Sequence, residues 1–473
     1  MARFTETFLA RRPGDAIQSI RRLRVFHLFR GEGLKARAIR GSVWTVGGTT
    51  LNQFLRLGSN LILTRLLFPE AFGLMALVAV FIRGLNMFSD VGLAPNIIQN
   101  KRGDEPVFLN TAWTVQVIRG FVLFGVVCIG AWPFAMFYKN EVLIQIIPVV
   151  GLTALIGGFN STAIITASKR ITLGQVTCLN ITVQIVGIVV MIGCALIWRS
   201  VWALVIGGVA ASICKMVLSH VWLADTRNRF CWDRAVVRDL VSFGKWIFLA
   251  TILTFVATQS DQLILGKVLS MKMFGVFSIA YMIYRVPRDL VMRLSKNIIF
   301  PAVSQWKELP RHEMRAKIER NRWPLLVAMA GVTALLFGFG DFLILGLWDE
   351  RYAAAAPLLP VLALGLWPRV LDMTTAHSLV AIRKLHYNPI GSLGRIPIIL
   401  VGLPIAFALF GLKGAVVVVA LSDLPNYIAD LIGLRMNGLA LLRQDLVATL
   451  MLVIFSLCAI VIRVAMGAQA LPF

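Results

Sequence analysis

From Val43 to Ala465 the chain is a succession of apolar runs of about 20 residues, broken by short charged segments. A helix rises 1.5 Å per residue, so about 20 residues cover a hydrocarbon layer ~30 Å thick. No soluble core needs that length again and again. Charged residues make up only 15% of the chain, against about 25% in soluble proteins. The pattern predicts an all-α polytopic membrane protein, with helices over 43–66, 72–98, 108–136, 142–167, 172–197, 201–223, 240–266, 273–299, 323–347, 353–381, 388–411, 413–436 and 444–466.

The net charge of +24 raises the question of nucleic acid. Its placement argues against that partner, because most Lys and Arg flank the apolar runs, where they set membrane orientation. With the N-terminus inside, inward segments hold ten Lys and Arg within 1–41, then Lys101 and Arg102, Lys169 and Arg170, four between Arg227 and Arg238, six between Lys307 and Arg322, Arg383 and Lys384, and Arg435 and Arg443. Outward loops hold only Lys139, Arg199, Lys267, Lys272, Arg351 and Lys413. This asymmetry predicts a cytoplasmic N-terminus. No cleavable signal peptide is expected, since the first apolar stretch is long enough to remain as a helix. Within the basic tail, 15–30 mixes arginines with Ile17, Ile20, Val25, Phe26, Leu28 and Phe29. It reads as an interfacial helix on anionic lipid, with a solvated tail as the alternative. The six cysteines show no CxxC spacing and five of them lie in apolar segments, so neither disulfide, metal site nor cofactor is expected.

The chain also repeats itself. Leu61-Ile62-Leu63, Arg65 and Phe72-Gly73 recur 202 residues on as Leu263-Ile264-Leu265, Lys267 and Phe274-Gly275, and the same offset carries Arg83 onto Arg285. Six helices separate the copies, so both enter the membrane from the same side. The expected architecture is two six-helix lobes, 42–223 and 240–436, related by a pseudo-twofold along the membrane normal. A basic tail (1–41) precedes them, a cytoplasmic linker (224–239) joins them, and a C-terminal transmembrane extension (437–473) follows.

The stretch LTRLLFPEAFGLMALV (63–78), followed by FSDVGLAPNIIQ (88–99), resembles the start of Wzx-type polysaccharide transporters of the multidrug/oligosaccharidyl-lipid/polysaccharide superfamily. Those proteins carry an Arg-Leu-Pro-Phe-Gly turn between helices 1 and 2, here Arg65, Leu67, Pro69, Phe72 and Gly73, and an Asp-x-Gly near the end of helix 2, here Asp90-Val91-Gly92. The resemblance covers about 40–436. It implies a flippase moving polyprenyl-pyrophosphate-linked oligosaccharide units across the inner membrane for exopolysaccharide, O-antigen or capsule assembly. Membrane lipids, a polymerase and glycosyltransferases would be its partners. The family commonly has fourteen helices; here a single helix follows the twelfth.

Ionisable side chains within spans are costly and mark functional positions. The lipid II flippases of the same superfamily place essential arginines on helices 1, 2 and 8. By helix and repeat position this implies that Arg56, Arg83 and Arg285 bind the pyrophosphate, with Arg119 and Arg395 as second-rank candidates. A guanidinium suits phosphate because it donates in a bidentate fork and never loses its charge. Asp90, Asp261, Asp289 and Asp372 are candidate coupling or cavity acids. Simpler roles stand beside these: Asp90 and Asp289 as partners of Arg83 and Arg285, Arg369 and Asp372 as an i,i+3 pair, and His377 as a packing residue. There is no GxSxG, HExxH, P-loop or CxxC motif, so no catalytic residue is expected. An ion-coupled multidrug exporter is the main alternative, although a drug-cation site wants acidic rather than arginine-rich lining. A membrane glycosyltransferase or polymerase is disfavoured by the short outward loops.

Reporter fusions at Arg170, Arg234 and Arg315 should report cytoplasm, those at Lys139 and Arg351 periplasm, and the C-terminus should lie outside. A cytoplasmic C-terminus with the other reporters unchanged would put the helix count wrong by one.

Overall fold

The computed structural model describes residues 34–89, 92–100, 102–169, 173–223, 227–306, 308–384 and 386–469. The expected interfacial helix at 15–30 lies outside them. Among the described residues every regular element is helical. In chain order these are α1 (Leu34–Leu66), α2 (Pro69–Phe88), α3 (Leu93–Gln99), α4 (Pro106–Tyr138), α5 (Val142–Gly158), α6 (Ala163–Lys169), α7 (Leu173–Trp198) and α8 (Trp202–Val221). Then follow α9 (Arg234–Val268), α10 (Met271–Leu294), α11 (Phe300–Gln305), α12 (Arg311–Leu347), α13 (Leu358–Ala381), α14 (Tyr387–Pro397), α15 (Leu403–Leu421), α16 (Leu424–Met436) and α17 (Leu442–Ala465). Among the described residues, seven helices are long and apolar enough to cross a membrane, or eight if the pair α5–α6 counts as one span. This is a polytopic α-helical membrane protein.

Each of the thirteen expected segments coincides with helix, and the departures have local causes. The segment 72–98 is broken after Phe88: Gly92 adopts a left-handed φ of 67°, and α3 restarts from it. The segment 142–167 bends by 60° between α5 and α6. α10 passes through a π turn at Ser295–Ile299 before α11. The helix expected from 323 begins at Arg311, because its first turns run polar, with an Arg315–Glu319 pair at 2.9 Å. Gly411, at φ 62° and ψ −151°, breaks α15 at the expected boundary between helices 11 and 12. Residues 227–233 of the expected linker are strapped to α4: Arg229, Cys231 and Asp233 donate their backbone N–H groups to Asn110, Thr114 and Thr111.

Packing partners recur between the halves. α4 packs on α5, α5 on α8, α7 on α8 and α1 on α7; likewise α12 packs on α13, α13 on α16, α14 on α16 and α9 on α14. The halves meet where α2 crosses α10. A Cβ on Gly73 would strike the Met271 carbonyl, and one on Gly275 would strike the Pro69 carbonyl. Either Cβ would stand 3.1 Å from the other glycine's amide nitrogen. Met271 and Gly275 are the 202-residue counterparts of Pro69 and Gly73, so the contact is reciprocal, as in an isologous interface. Small residues at such a crossing let two backbones approach without a hydrophobic driving force.

The last helix is tied to α12 at both ends. Arg322 bonds Asp445 near one end, and Arg463 grips Asp341 at 2.5 Å near the other. Arg322 was expected in an inward loop; it lies instead within α12, 1% exposed. Removing one partner of such a pair leaves a buried charge uncompensated, which costs about 3–5 kcal/mol, whereas replacing both is often neutral. Asp341→Ala should therefore lower thermal stability in detergent markedly, and Asp341→Ala with Arg463→Met should restore most of it. Equal loss in both variants would show that the pair does not anchor α17.

Candidate functional site

α1, α9, α10 and α13 do not pass as simple apolar spans, and for α1 and α10 the reason is visible in their faces. Gln53, Arg56 and Asn60 share one face of α1; Ala76, Ala79 and Arg83 share one of α2; Ser278, Met282, Arg285 and Asp289 share one of α10. These faces converge on a cavity of about 450 Å³. α7 and α8 contribute Gln184, Met191 and Leu204, and α9 contributes Gln262.

Three guanidiniums and one carboxylate are the charged groups of this lining. Arg83 donates to Oε1 of Gln259 on α9 at 2.8 Å. Arg285 lies 3.8 Å from Asp289, one turn on, and the two side chains are 33% and 20% exposed. Arg56 makes no ion pair among the described residues. The lining is therefore net cationic, with uncharged amides and hydroxyls around it, which suits an anion carrying many hydroxyl groups. Arg56 stands ten residues from the end of α1 and Arg83 fourteen from the start of α2, so both sit roughly 15–21 Å from the turn joining these helices.

At that turn the two halves meet closely. The backbones of α2 and α10 approach at Gly73 and Gly275, and Phe72 packs edge-on against Tyr352, 6.1 Å between centroids. Arg351 donates to the last carbonyls of α1, Arg65 O at 3.0 Å and Thr64 O at 3.4 Å, and is held there by Asp349. Its guanidinium lowers the Asp349 carboxyl from the usual carboxylate range to about 2. That pairing contributes above the ordinary carboxylate range and is lost only as pH falls through about 2. Lys267, the repeat counterpart of Arg65, reaches the Phe137 carbonyl, and the Tyr138 hydroxyl donates to Leu263 O at 3.0 Å.

The remaining candidates lie elsewhere. Arg119 donates to Ser89 Oγ at 3.0 Å and Asn86 O at 2.9 Å, tying α4 to α2. Arg395 is buried and pairs with Asp423 at 2.8 Å. Asp261 accepts from the Gln262 N–H and from the Tyr281 hydroxyl. Asp372 pairs with Arg369 at 2.8 Å, and His377 Nδ1 meets Met373 O at 2.9 Å. Asp90 lies outside the described residues. Sequence reasoning overlooked the neutral lining of Gln53, Gln184, Gln262 and Ser278; the i, i+4, i+7, i+11 spacing of Ser278, Met282, Arg285 and Asp289 was the available signal.

A thiol placed at Ser278, in a chain whose six cysteines have been replaced, should be shielded from an impermeant reagent on the α1–α2 turn side. Adding Gly275→Val, which cannot sit against the Pro69 carbonyl, should raise labelling several-fold. Unchanged labelling would show that the crossing does not seal the cavity.

A family model described as "Polysaccharide biosynthesis protein" matches residues 62–357. The teichuronic acid biosynthesis protein TuaB of Bacillus subtilis is 21% identical over 58% of this chain and 57% of its own length. The lipopolysaccharide biosynthesis protein WzxC of Escherichia coli is 21% identical over 58% and 55%. The succinoglycan biosynthesis transport protein ExoT of Rhizobium meliloti is 22% identical over 68% and 64%. The chain thus spans a little over half the length of the first of these relatives. Among solved structures, the inward closed conformation of the lipid II flippase MurJ superposes with a TM-score of 0.68 at 11% identity, over 88% of this chain and 97% of that one. An outward-facing multidrug resistance MATE transporter gives 0.55 at 16% identity, over 87% and 97%. The fold is the one shared by these transporters.

Proposed function

The chain belongs to the polysaccharide biosynthesis protein family, and from that premise we propose that it is a flippase for polyprenyl-pyrophosphate-linked oligosaccharide units. It carries them outward across the bacterial inner membrane for assembly into exopolysaccharide, O-antigen or capsule. The observation that carries this reading is the convergence of Arg56, Arg83 and Arg285, from three helices and both halves of the repeat, on one cavity. The arginines bind the pyrophosphate, the neutral amides and hydroxyls receive the sugars, and the polyprenyl tail stays in lipid. Two lobes, related by a pseudo-twofold along the membrane normal, rock about the α2–α10 crossing to expose the head group on the other side. With the N-terminus in the cytoplasm, the end of the cavity at the α1–α2 turn faces outward, closed in this reading by the α2–α10 crossing, and the head group enters from inside.

The membrane potential favours that direction. Moving one charge through 100 mV is worth about 2.3 kcal/mol, so a head group with two negative charges gains roughly 4–5 kcal/mol on leaving a negative interior. Asp289 beside Arg285 tempers the cavity, so that binding remains reversible. A multidrug exporter would share the fold but would need an acidic lining for cationic drugs, the opposite of this one. Enzymatic polymerisation is disfavoured by the tight turns between α1 and α2 and between α9 and α10, which leave no room for a sugar-processing domain. A polymerase and glycosyltransferases act before and after this step as separate partners.

The double variant Arg83→Ala, Arg285→Ala should abolish polymer export at normal protein level, with lipid-linked precursor accumulating on the inner leaflet. Arg→Lys at either position should rescue only in part, because a point charge lacks the bidentate fork. Normal export by the double alanine variant would remove the cationic cavity from the mechanism.

A further inference from the structure

Beside the cavity, the second half of the chain gathers charged side chains that the cavity does not use. Three are arginines: Arg288 on α10, Arg369 on α13 and Arg395 on α14. Four are aspartates: Asp261 on α9, Asp372 on α13, and Asp423 and Asp430 at the start and in the body of α16. All four aspartates are at least 96% buried. Arg395 holds Asp423 at 2.8 Å, and Arg369 bridges Asp423 at 3.3 Å and Asp372 at 2.8 Å. Asp261 faces Arg395 and Arg288. Four carboxylates against three guanidiniums leave one negative charge over in a medium where an uncompensated charge is costly.

The excess falls on one pair. Asp430 is 1% exposed, and its carboxylate oxygens have no cationic partner; the Thr375 side chain is a polar group that faces them, outside strict hydrogen-bond geometry. Oδ1 of Asp372 meets no donor, and the two side chains lie in hydrogen-bonding contact with each other. The single hydroxyl proton of Thr375 is shared among the Leu371 and Asp372 carbonyls, each at 2.9 Å, and Asp430, so it cannot by itself compensate the carboxylate. Two ionised carboxylates cannot hydrogen-bond to one another; one proton between them makes the contact attractive and brings the cluster to neutrality. A metal ion does not fit the place: Arg369 already supplies the cation on Asp372, and no group of three or more His, Cys, Asp or Glu among the described residues could hold one.

We propose that Asp372 and Asp430 together bind a single proton, and that its release and recapture are linked to the conformational cycle. This rests on the transporter reading above. The link runs through α10, which carries Arg285 and Asp289 at the cavity, carries Arg288 at the cluster, and packs on α13. Displacing α10 moves Arg288 relative to Asp423 and Asp261, which changes how much negative charge the dyad can hold. Two further charged groups lie against α13: Arg322 on α12, committed to Asp445 and Thr374, and Lys296 in the π turn after α10, which faces His377. Tyr284 on α10 faces Arg288, Arg369 and Asp423. His377 lies one helical turn and a half beyond Asp372 and is bonded to backbone.

Infrared spectroscopy of the purified full chain tests the site without any substrate. At neutral pH the native protein should show the C=O stretch of a protonated, buried carboxyl, and Asp430→Asn should lack it. The amide of Asp430→Asn can donate to Asp372 in place of the shared proton, so this variant should melt close to the native temperature. Polymer export by host cells should vary with external pH for the native chain and become flat for Asp430→Asn. Survival of the carboxyl band in Asp430→Asn, or an export profile unchanged from native, overturns the proposal. The flippase reading fails separately, on export by the cavity-arginine variant.

Discussion

Hydrocarbon does not tolerate an isolated charge, and under that constraint the arginines of the spans meet two main fates. A charge is cancelled by a partner across a helix interface, or it faces a polar cavity. Arg322 with Asp445 and Arg463 with Asp341 take the first course and bind α17 to α12. Arg395 and Arg369 do the same around Asp423. Arg56, Arg83 and Arg285 take the second and converge, with Asp289, on the cavity between α1, α2 and α10. Pairing makes scaffold, whereas the charges left facing the cavity are those the proposed mechanism assigns to binding. The same chemical group therefore does opposite work on neighbouring helices.

The repeat supplies the mechanics. Two helix pairs descended from one pattern meet through Gly73 and Gly275, where no side chain keeps the backbones apart. In the proposed rocking mechanism this contact is the fulcrum: it holds through close backbone approach, and Arg351 bonds the end of α1 beside it. A small change of angle there would alter access to the cavity arginines.

Much of this was readable from residue order alone. Apolar run length located thirteen helical segments, because span length is set by the bilayer and not by tertiary context. The 202-residue offset paired Phe72 with Phe274 and Arg83 with Arg285, and the equivalent glycines then proved to touch. Arg56, Arg83 and Arg285 were picked out by their places near the middle of their helices, by the repeat that pairs Arg83 with Arg285, and by what the resemblance to the lipid II flippases implied for helices 1, 2 and 8. The breaks after Phe88 and Gly158 went unread although Ser89, Asp90 and Gly92 stand at the first and Asn160, Ser161 and Thr162 at the second: a few polar residues in a long apolar run do not lower its hydropathy enough to end a span. Arg322 was misplaced for the opposite reason: it follows a run of polar residues, and only its burial against Asp445, 123 residues on, removes it from the loop. Arg119 and Arg395 looked like cavity arginines because nothing in the order of residues reveals that Asn86 or Asp423 waits for them.

The account stands on the cavity arginines gripping a pyrophosphate-linked sugar. A photo-crosslinking side chain at Ser278, which lines the cavity without being one of the arginines, reads that contact directly in host membranes. The account predicts capture of the lipid-linked precursor at this position, suppressed by excess inorganic pyrophosphate and lost when Arg83 and Arg285 are both changed to Gln. Capture that is indifferent to pyrophosphate and to the loss of both arginines would contradict it.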